Sequence, residues 1–92
     1  DPGFGFAKTA GHNFTILKKL SLLSVFNRPV LVGLSRKSFI YKTLGISADE
    51  ALNGSTVLHT IALQNGASIL RVHDVKEAVQ AVILTSKYNA AS

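Results

Sequence analysis

Two short stretches hold most of the residues capable of chemistry. Ser35-Arg36-Lys37-Ser38-Phe39 sets two cations between two hydroxyls, and Arg71-Val72-His73-Asp74 sets a guanidinium and an imidazole one residue apart. In extended backbone, residues two apart point to the same side, so Arg71 and His73 converge on one spot. A guanidinium offers a planar donor fork suited to phosphate oxygens, and the imidazole adds a further donor. A helix opening at Asp74 turns free N–H groups toward the same region. The spacing equally admits an architectural arrangement, with Arg71 paired to Asp74 or Glu77 and His73 closing a strand end. The basic run could hold an anion through Lys37 and the N–H groups of a turn at Phe39-Ile40-Tyr41, or it could be a solvated loop.

The opening run, Asp1-Pro2-Gly3-Phe4-Gly5-Phe6-Ala7-Lys8, carries no dinucleotide fingerprint and no phosphate-binding loop signature. Its phenyl rings offer flat apolar surface for an aromatic ligand, and a carboxylate beside them can accept paired hydrogen bonds from an amidine-like edge. A plain turn after a strand accounts for the same residues. The three histidines lack paired spacing and make no metal site. His12 is expected at the surface, and His59, between Leu58 and Thr60, is expected to be a structural histidine with its hydrogen bonds satisfied.

Helices and strands must bring these groups together. From Ala10 to about Phe26, Phe14, Ile16, Leu17, Leu20 and Leu23 recur at spacings of three and four opposite Lys18, Lys19 and Ser21, which predicts one amphipathic helix closed by Asn27-Arg28-Pro29. Ser47-Ala48-Asp49-Glu50 has capping-box spacing. A short helix is expected there, then a break at Asn53-Gly54-Ser55, then a longer helix from about Ser55 to Gln64, stopped by Asn65-Gly66. Asp74-Val75-Lys76-Glu77 repeats the capping logic and opens a last helix to about Tyr88, with Val75, Ala78, Val79, Val82 and Ile83 as its buried face. The residues from Asn89 onward are expected to fray.

Between the helices lie Val30-Leu31-Val32-Gly33-Leu34 and Ile69-Leu70-Arg71-Val72, which read as strands buried on both faces. The connection of about 34 residues is long enough for a right-handed crossover. The pattern predicts an α/β fold with parallel strands and a single domain spanning residues 1–92. In such folds ligands gather beyond the carboxyl ends of the strands, where both reactive stretches fall. Two parallel strands do not make a stable sheet alone, so the domain is expected to be partial.

Composition sets the outer bounds. With 92 residues, 47% of them apolar, and a mean hydropathy of +0.28, the chain is too apolar for disorder. Polar residues interrupt every window long enough to span a membrane. The absence of cysteine removes disulfides, thiolate metal sites and cysteine nucleophiles. It also fits a reducing compartment, and a cytoplasmic location is expected. Methionine is absent too, and the sequence is expected to be a piece of a longer chain. The first 48 residues hold seven cations against one carboxylate, and the rest three cations against four carboxylates. That asymmetry fits an anionic small molecule, a nucleic acid, or a fragment whose balancing acidic surface lies elsewhere. A nucleic-acid module would need basic helix faces and stacking aromatics. Here the helices are amphipathic and only Phe4-Gly5-Phe6 is rich in phenyl rings, so no nucleic-acid partner is expected.

Taken together, Asp1-Pro2-Gly3-Phe4-Gly5-Phe6 followed by Lys8-Thr9, Leu31 through Phe39, and Ile69 through Val75 resemble the C-terminal third of the dihydropteroate synthase family, in the same order and spacing, from Asp1 to about Tyr88. The resemblance implies the end of strand six to helix eight of a (β/α)8 barrel. It implies joining of 6-hydroxymethyl-7,8-dihydropterin diphosphate to 4-aminobenzoate in folate synthesis, with release of diphosphate, at a site where sulfonamides compete. By the same match Asp1 would hydrogen-bond the pterin edge, and Lys37 would contact the pterin and border the aminobenzoate pocket. Phe6 would pack in that pocket, Ser38 would receive the aminobenzoate carboxylate, and Arg71 and His73 would hold the diphosphate. The resemblance also implies Mg2+ and a homodimer for the full-length enzyme, with the metal ligand outside this chain. This chain has Ala7 where the family has glycine. A pterin-binding methyltransferase barrel is the alternative within the fold, but a methyl carrier has no diphosphate for Arg71 and His73 to hold. The fragment alone is expected to be inactive.

Overall fold

The computed structural model describes residues 1–5 and 9–92, the side chain of Ser24 excepted. The chain forms α1 (Ala10–Lys18), a 3-10 segment Leu20–Phe26, β1 (Leu31–Val32), α2 (Ser38–Leu44), a 3-10 turn Ala48–Glu50, α3 (Leu52–Gln64), β2 (Ile69–Leu70) and α4 (Val75–Ala90). β1 and β2 pair in parallel, Leu31 opposite Ile69 and Val32 opposite Leu70. The α/β class and the parallel crossover are therefore as the sequence predicts.

Thr9 caps α1, its hydroxyl accepting the His12 N–H at 3.1 Å. The helix does not run on to Phe26. After Lys18 the backbone tightens into 3-10 winding, in which residues three apart eclipse one another. Along this segment Leu20 is buried and Leu23 half-buried, while Leu22, Val25 and Phe26 stay exposed. Asn27, at φ 51°, then turns the chain toward β1.

The strands are shorter than expected, because ladder hydrogen bonds form only from Val30 to Arg71. The N–H groups of Ser68 and Arg71 donate to the carbonyls of Val30 and Val32 at 2.8 and 2.9 Å. Alternate residues Val30, Val32 and Leu34 enter a core with Phe4, Leu17, Leu20, Phe39, Ile40, Leu58 and Ala62. Phe39 stacks on Phe4 with ring centroids 6.0 Å apart and takes the edge of Phe14 at 5.5 Å. The core lies between β1 and the helices α1, α2 and α3. β2 is not buried on both faces: Ile69 is 48% exposed, since no described element covers its outer side.

Phe39-Ile40-Tyr41 is a helix rather than a turn. α2 buries Phe39 and Ile40 and ends at Gly45, whose φ of 71° permits the Ile46 N–H to reach back to the Tyr41 carbonyl at 3.0 Å. The Glu50 carboxylate accepts from both the N–H and the hydroxyl of Ser47, so the capping box forms. The break that follows comes at Ala51, not at Asn53-Gly54-Ser55, which lie inside α3. Gly54 interrupts nothing because its missing side chain makes room: a Cβ there would stand 2.6 Å from Ile40 Cγ2. In α4 the buried residues are Ala78, Ala81 and Thr85, whereas Val75, Val79, Val82 and Ile83 are 41–63% exposed. The small residues let α4 approach α3 closely, and the larger apolar ones flank that contact without cover. α4 also continues to Ala90, past the expected fraying point.

Candidate active site

Because β1 and β2 are parallel, their carboxyl ends open on one rim, and the two reactive stretches meet there. Gly33, Ser35, Lys37, Arg71, Val72 and His73 line one hollow of about 160 Å³. The structure thus gathers three of the expected residues, Lys37, Arg71 and His73. Gly33 is the floor: a Cβ on it would come within 2.5 Å of Arg71 Nη2 and 3.0 Å of its Cζ, so the guanidinium lies against bare backbone. Arg71 takes neither of the intramolecular partners open to it in the sequence. Its nearest carboxylate is Asp1, Nη2 to Oδ2 at 3.8 Å, with both side chains well exposed. A long, solvated pair of this kind contributes little energy and leaves the guanidinium donors available.

Lys37 crosses to the opening loop. Its ammonium donates to the Phe4 carbonyl, and its stem covers the backbone of Gly5. That loop is fixed from behind by Asn13, a buried polar residue of α1. Its amide oxygen accepts the Gly5 N–H at 2.8 Å and its amide nitrogen donates to the Thr9 carbonyl at 3.0 Å. Asp1 folds back to accept the Gly3 N–H at 2.8 Å, which orients the carboxylate beside Arg71. Ser38 is exposed at the first residue of α2 and is not part of the hollow's lining. Phe6 and Ala7 lie outside the described residues.

One residue of the rim has partners that the sequence did not reveal. Arg36 is not a solvated cation of a basic loop. Its Nε and Nη2 donate to the two oxygens of Asp74 at 2.8 and 3.1 Å, and its Nη1 donates to the carbonyls of Ala48 and Asp49 at 3.0 and 3.1 Å. Its backbone, at φ 54°, is uncommon for a side-chain-bearing residue. The Ser55 hydroxyl holds it there, accepting the Arg36 N–H at 2.8 Å while donating to the Ala51 carbonyl. The Asp74 carboxylate is consequently not a helix cap. Hydrogen bonds from Arg36 hold it below the usual carboxylate range, and the same bonds raise the Arg36 pKa. A second tie runs from the His73 N–H to the Ser35 hydroxyl at 3.2 Å.

His59, one turn after Ser55 on α3, is buried, but the expectation of satisfied hydrogen bonds is not met. Its Nε2 has no partner among the described residues. Burial pushes its pKa down, against a smaller opposing pull from the Asp74 charge. His12 is at the surface as expected. Among the described residues no three His, Cys, Asp or Glu side chains converge on a point where a metal ion could sit.

Asn13 carried a signal in the sequence, a polar residue four positions before Leu17 on the apolar stripe, and Gly33 carried another, a glycine inside a strand. Arg36 and Ser55 carried none. Their partners are 38 and 19 residues away, and nothing in local spacing reports them.

A family model described as "Pterin binding enzyme" matches residues 1–73. The dihydropteroate synthase of Escherichia coli K12 is 50% identical over 82 residues, which are 89% of this chain and 29% of that protein. The chain therefore spans less than a third of this relative's length. Among solved structures, Yersinia pestis dihydropteroate synthase with a pterine-sulfa conjugate superposes on all of this chain and 36% of its own, with a TM-score of 0.97 and 43% identity. The Xanthomonas albilineans synthase with 4-aminobenzoic acid superposes on all of this chain and 34% of its own, with a TM-score of 0.95 and 40% identity. The two strands and four helices are thus a portion of the barrel those enzymes share.

Proposed function

Since the chain belongs to the pterin-binding enzyme family, we propose that it supplies one side of the active site of a dihydropteroate synthase. The whole enzyme would condense 6-hydroxymethyl-7,8-dihydropterin diphosphate with 4-aminobenzoate to give 7,8-dihydropteroate and diphosphate. The observation that carries this reading is the convergence of Lys37, Arg71 and His73 on one hollow at the carboxyl ends of both strands. The phosphate sites of barrels commonly lie after their last two strands.

In this reading Arg71 and His73 bind the diphosphate. As the bond from the pterin methylene carbon to the diphosphate oxygen breaks, negative charge grows on the leaving group. Fixed donors aimed at that charge stabilise the transition state more than the ground state. The arylamine nitrogen of 4-aminobenzoate forms the new bond to the methylene carbon and releases its proton, so no protein nucleophile is needed. Lys37 contacts the pterin and borders the aminobenzoate pocket, and its hold on the Phe4 carbonyl ties that pocket to the rim. Asp1 accepts hydrogen bonds from the pterin edge, Phe6 packs against the aminobenzoate ring, and Ser38 receives the carboxylate at the exposed start of α2.

In the synthase reading Mg2+ is held by a residue outside this chain; among the described residues no three His, Cys, Asp or Glu side chains gather for a metal ion. The family reading also makes the assembled enzyme a homodimer and cytoplasmic. No helix among the described residues is long and apolar enough to cross a membrane.

The test is a chimera in which this chain replaces the matched segment of the Escherichia coli synthase. It should turn over both substrates. Arg71→Ala and His73→Ala should each lower kcat on the order of 10²- to 10³-fold, the loss seen when a donor to developing charge is removed. Full turnover in both variants would refute the reading.

A further inference from the structure

Resting on the synthase reading, we propose that Arg36 is a positioning residue which sets the separation of Lys37 from His73 without touching substrate. Three segments meet on its guanidinium. The loop after β1 carries it, the residue after His73 provides its carboxylate partner, and the 3-10 turn before α3 provides two carbonyl acceptors. Four hydrogen bonds therefore leave one side chain toward groups that come from no common element. The backbone on either side of the clamp carries the reactive residues, Lys37 one position after Arg36 and His73 one position before Asp74. The arrangement is rigid at its base, because the Ser55 hydroxyl holds the Arg36 N–H and is itself anchored to the Ala51 carbonyl.

The geometry of the fork matters here as well as its charge. Two parallel N–H···O bonds to one carboxylate fix both distance and angle, which an ammonium cannot do. The pair is only partly exposed, 26% for Arg36 and 24% for Asp74. If it is lost, the loop after β1 keeps its strand and its core residue Leu34 but can move relative to the start of α4. Small misplacements of catalytic groups cost rate out of proportion to their size, on the order of 10²-fold for about 1 Å.

The experiment compares Arg36→Lys, Arg36→Asn and Asp74→Asn in the chimera, with Ala81→Gly in α4 as a variant that weakens folding far from the rim. Asn tolerates the positive φ that Arg36 adopts, so it removes the clamp without straining the backbone. Arg36→Lys and Arg36→Asn should lower kcat by about tenfold to 10²-fold, with the KM for each substrate changing by less than about threefold, the pattern of an interaction realised in the transition state. Ala81→Gly should lower the unfolding temperature and leave kcat in place. Full kcat in Arg36→Lys would show that charge suffices and overturn the proposal, as would a fall in kcat for Ala81→Gly equal to that of Arg36→Asn.

A second measurement does not depend on the synthase reading. Amide hydrogen exchange on the chimera, which reads folding and not turnover, should show the His73 N–H losing protection in Arg36→Asn while the N–H groups of α3 keep theirs. Uniform loss, or none, overturns the clamp itself. An unmutated chimera without turnover, beside selective loss at His73, would place the fault in the synthase reading instead.

Discussion

The rim and the outer face of α4 are built on opposite terms. At the rim, Ser35, Arg36, Ser55, Asp74 and the His73 N–H satisfy one another through short hydrogen bonds contained in this chain. On α4, Val75, Val79, Val82, Ile83 and Leu84 stand 41–70% exposed, an apolar surface with nothing described against it. A directional polar network is complete once its few partners are present, whereas apolar burial is complete only when enough surface has been brought together. The described residues therefore hold the geometry of this hollow among themselves but leave the apolar face of α4 uncovered.

The strongest way to break the contrast is at the floor of the hollow. Gly33→Ala would drive a Cβ into the Arg71 guanidinium, which is exposed and free to swing away. Turnover of the chimera should fall on the order of 10²-fold. The unfolding midpoint should move by less than about 4 °C, the shift that ~0.5–1 kcal/mol produces in a domain of this size. Unchanged turnover would mean that the guanidinium need not lie on Gly33.

Next in size is Gly54→Ala, where packing and propensity oppose one another. Alanine gains up to ~1 kcal/mol in a helix interior, while overpacking costs ~1–3 kcal/mol. Ile40 is buried, and the atom met is its Cγ2, which sits on a stiff β-branched Cβ and yields only if the whole side chain or its backbone shifts. The clash should therefore win, and thermal denaturation should show a net loss of about 1 kcal/mol.

A smaller effect concerns pH. His59 is held neutral by burial, so its folded pKa lies below the ordinary value of 6.5. The unfolded chain then binds more protons in the interval between the two values, and stability falls as pH drops below about 6.5. His59→Leu should flatten that part of the curve, measured by urea denaturation from pH 7 to pH 5. Asp74 has the opposite chemistry but the same direction. Its depressed pKa makes the Arg36 pair fully effective above the usual carboxylate range and lost only in strong acid, so Asp74→Asn should lower stability throughout the range above about pH 4 and remove the acid dependence below it. A change in slope near pH 6 in Asp74→Asn would show the two groups to be coupled.

The smallest change is expected on α4. Val79→Lys and Ile83→Lys should alter the stability of this chain by no more than ~0.5 kcal/mol, as surface substitutions do. A much larger loss for the same variants in the chimera would show that the remainder of a barrel covers this face and would sharpen the contrast between the two regions.

Much of the fold was readable from local pattern. The positions of the two strands, the Ser47–Glu50 box and the stop at Asn65-Gly66 depend on residues close in sequence and appear where spacing put them, though the strands are shorter than expected and β2 is not buried on both faces; the parallel pairing followed from the length of the connection. The failures were also physical. The helix expected through Phe26 ended at Lys18 and gave way to 3-10 winding over a run, Leu20 to Phe26, that is apolar at five of seven positions and so carries no single 3.6-residue stripe. Gly54, expected to break a helix, instead serves packing against Ile40.

Within the site, the sequence by itself determined that Arg71 and His73 would follow one strand and Lys37 the other at the same end of a parallel pair, since the apolar runs and the length of their connection fix both. Only the tertiary structure decided that Arg36 would claim Asp74, that Asn13 would hold the Gly5 loop, and that Gly33 would make room for a guanidinium. Those outcomes depend on distances between segments many residues apart, where a choice among competing partners is settled by which atoms the packed core brings within hydrogen-bond reach.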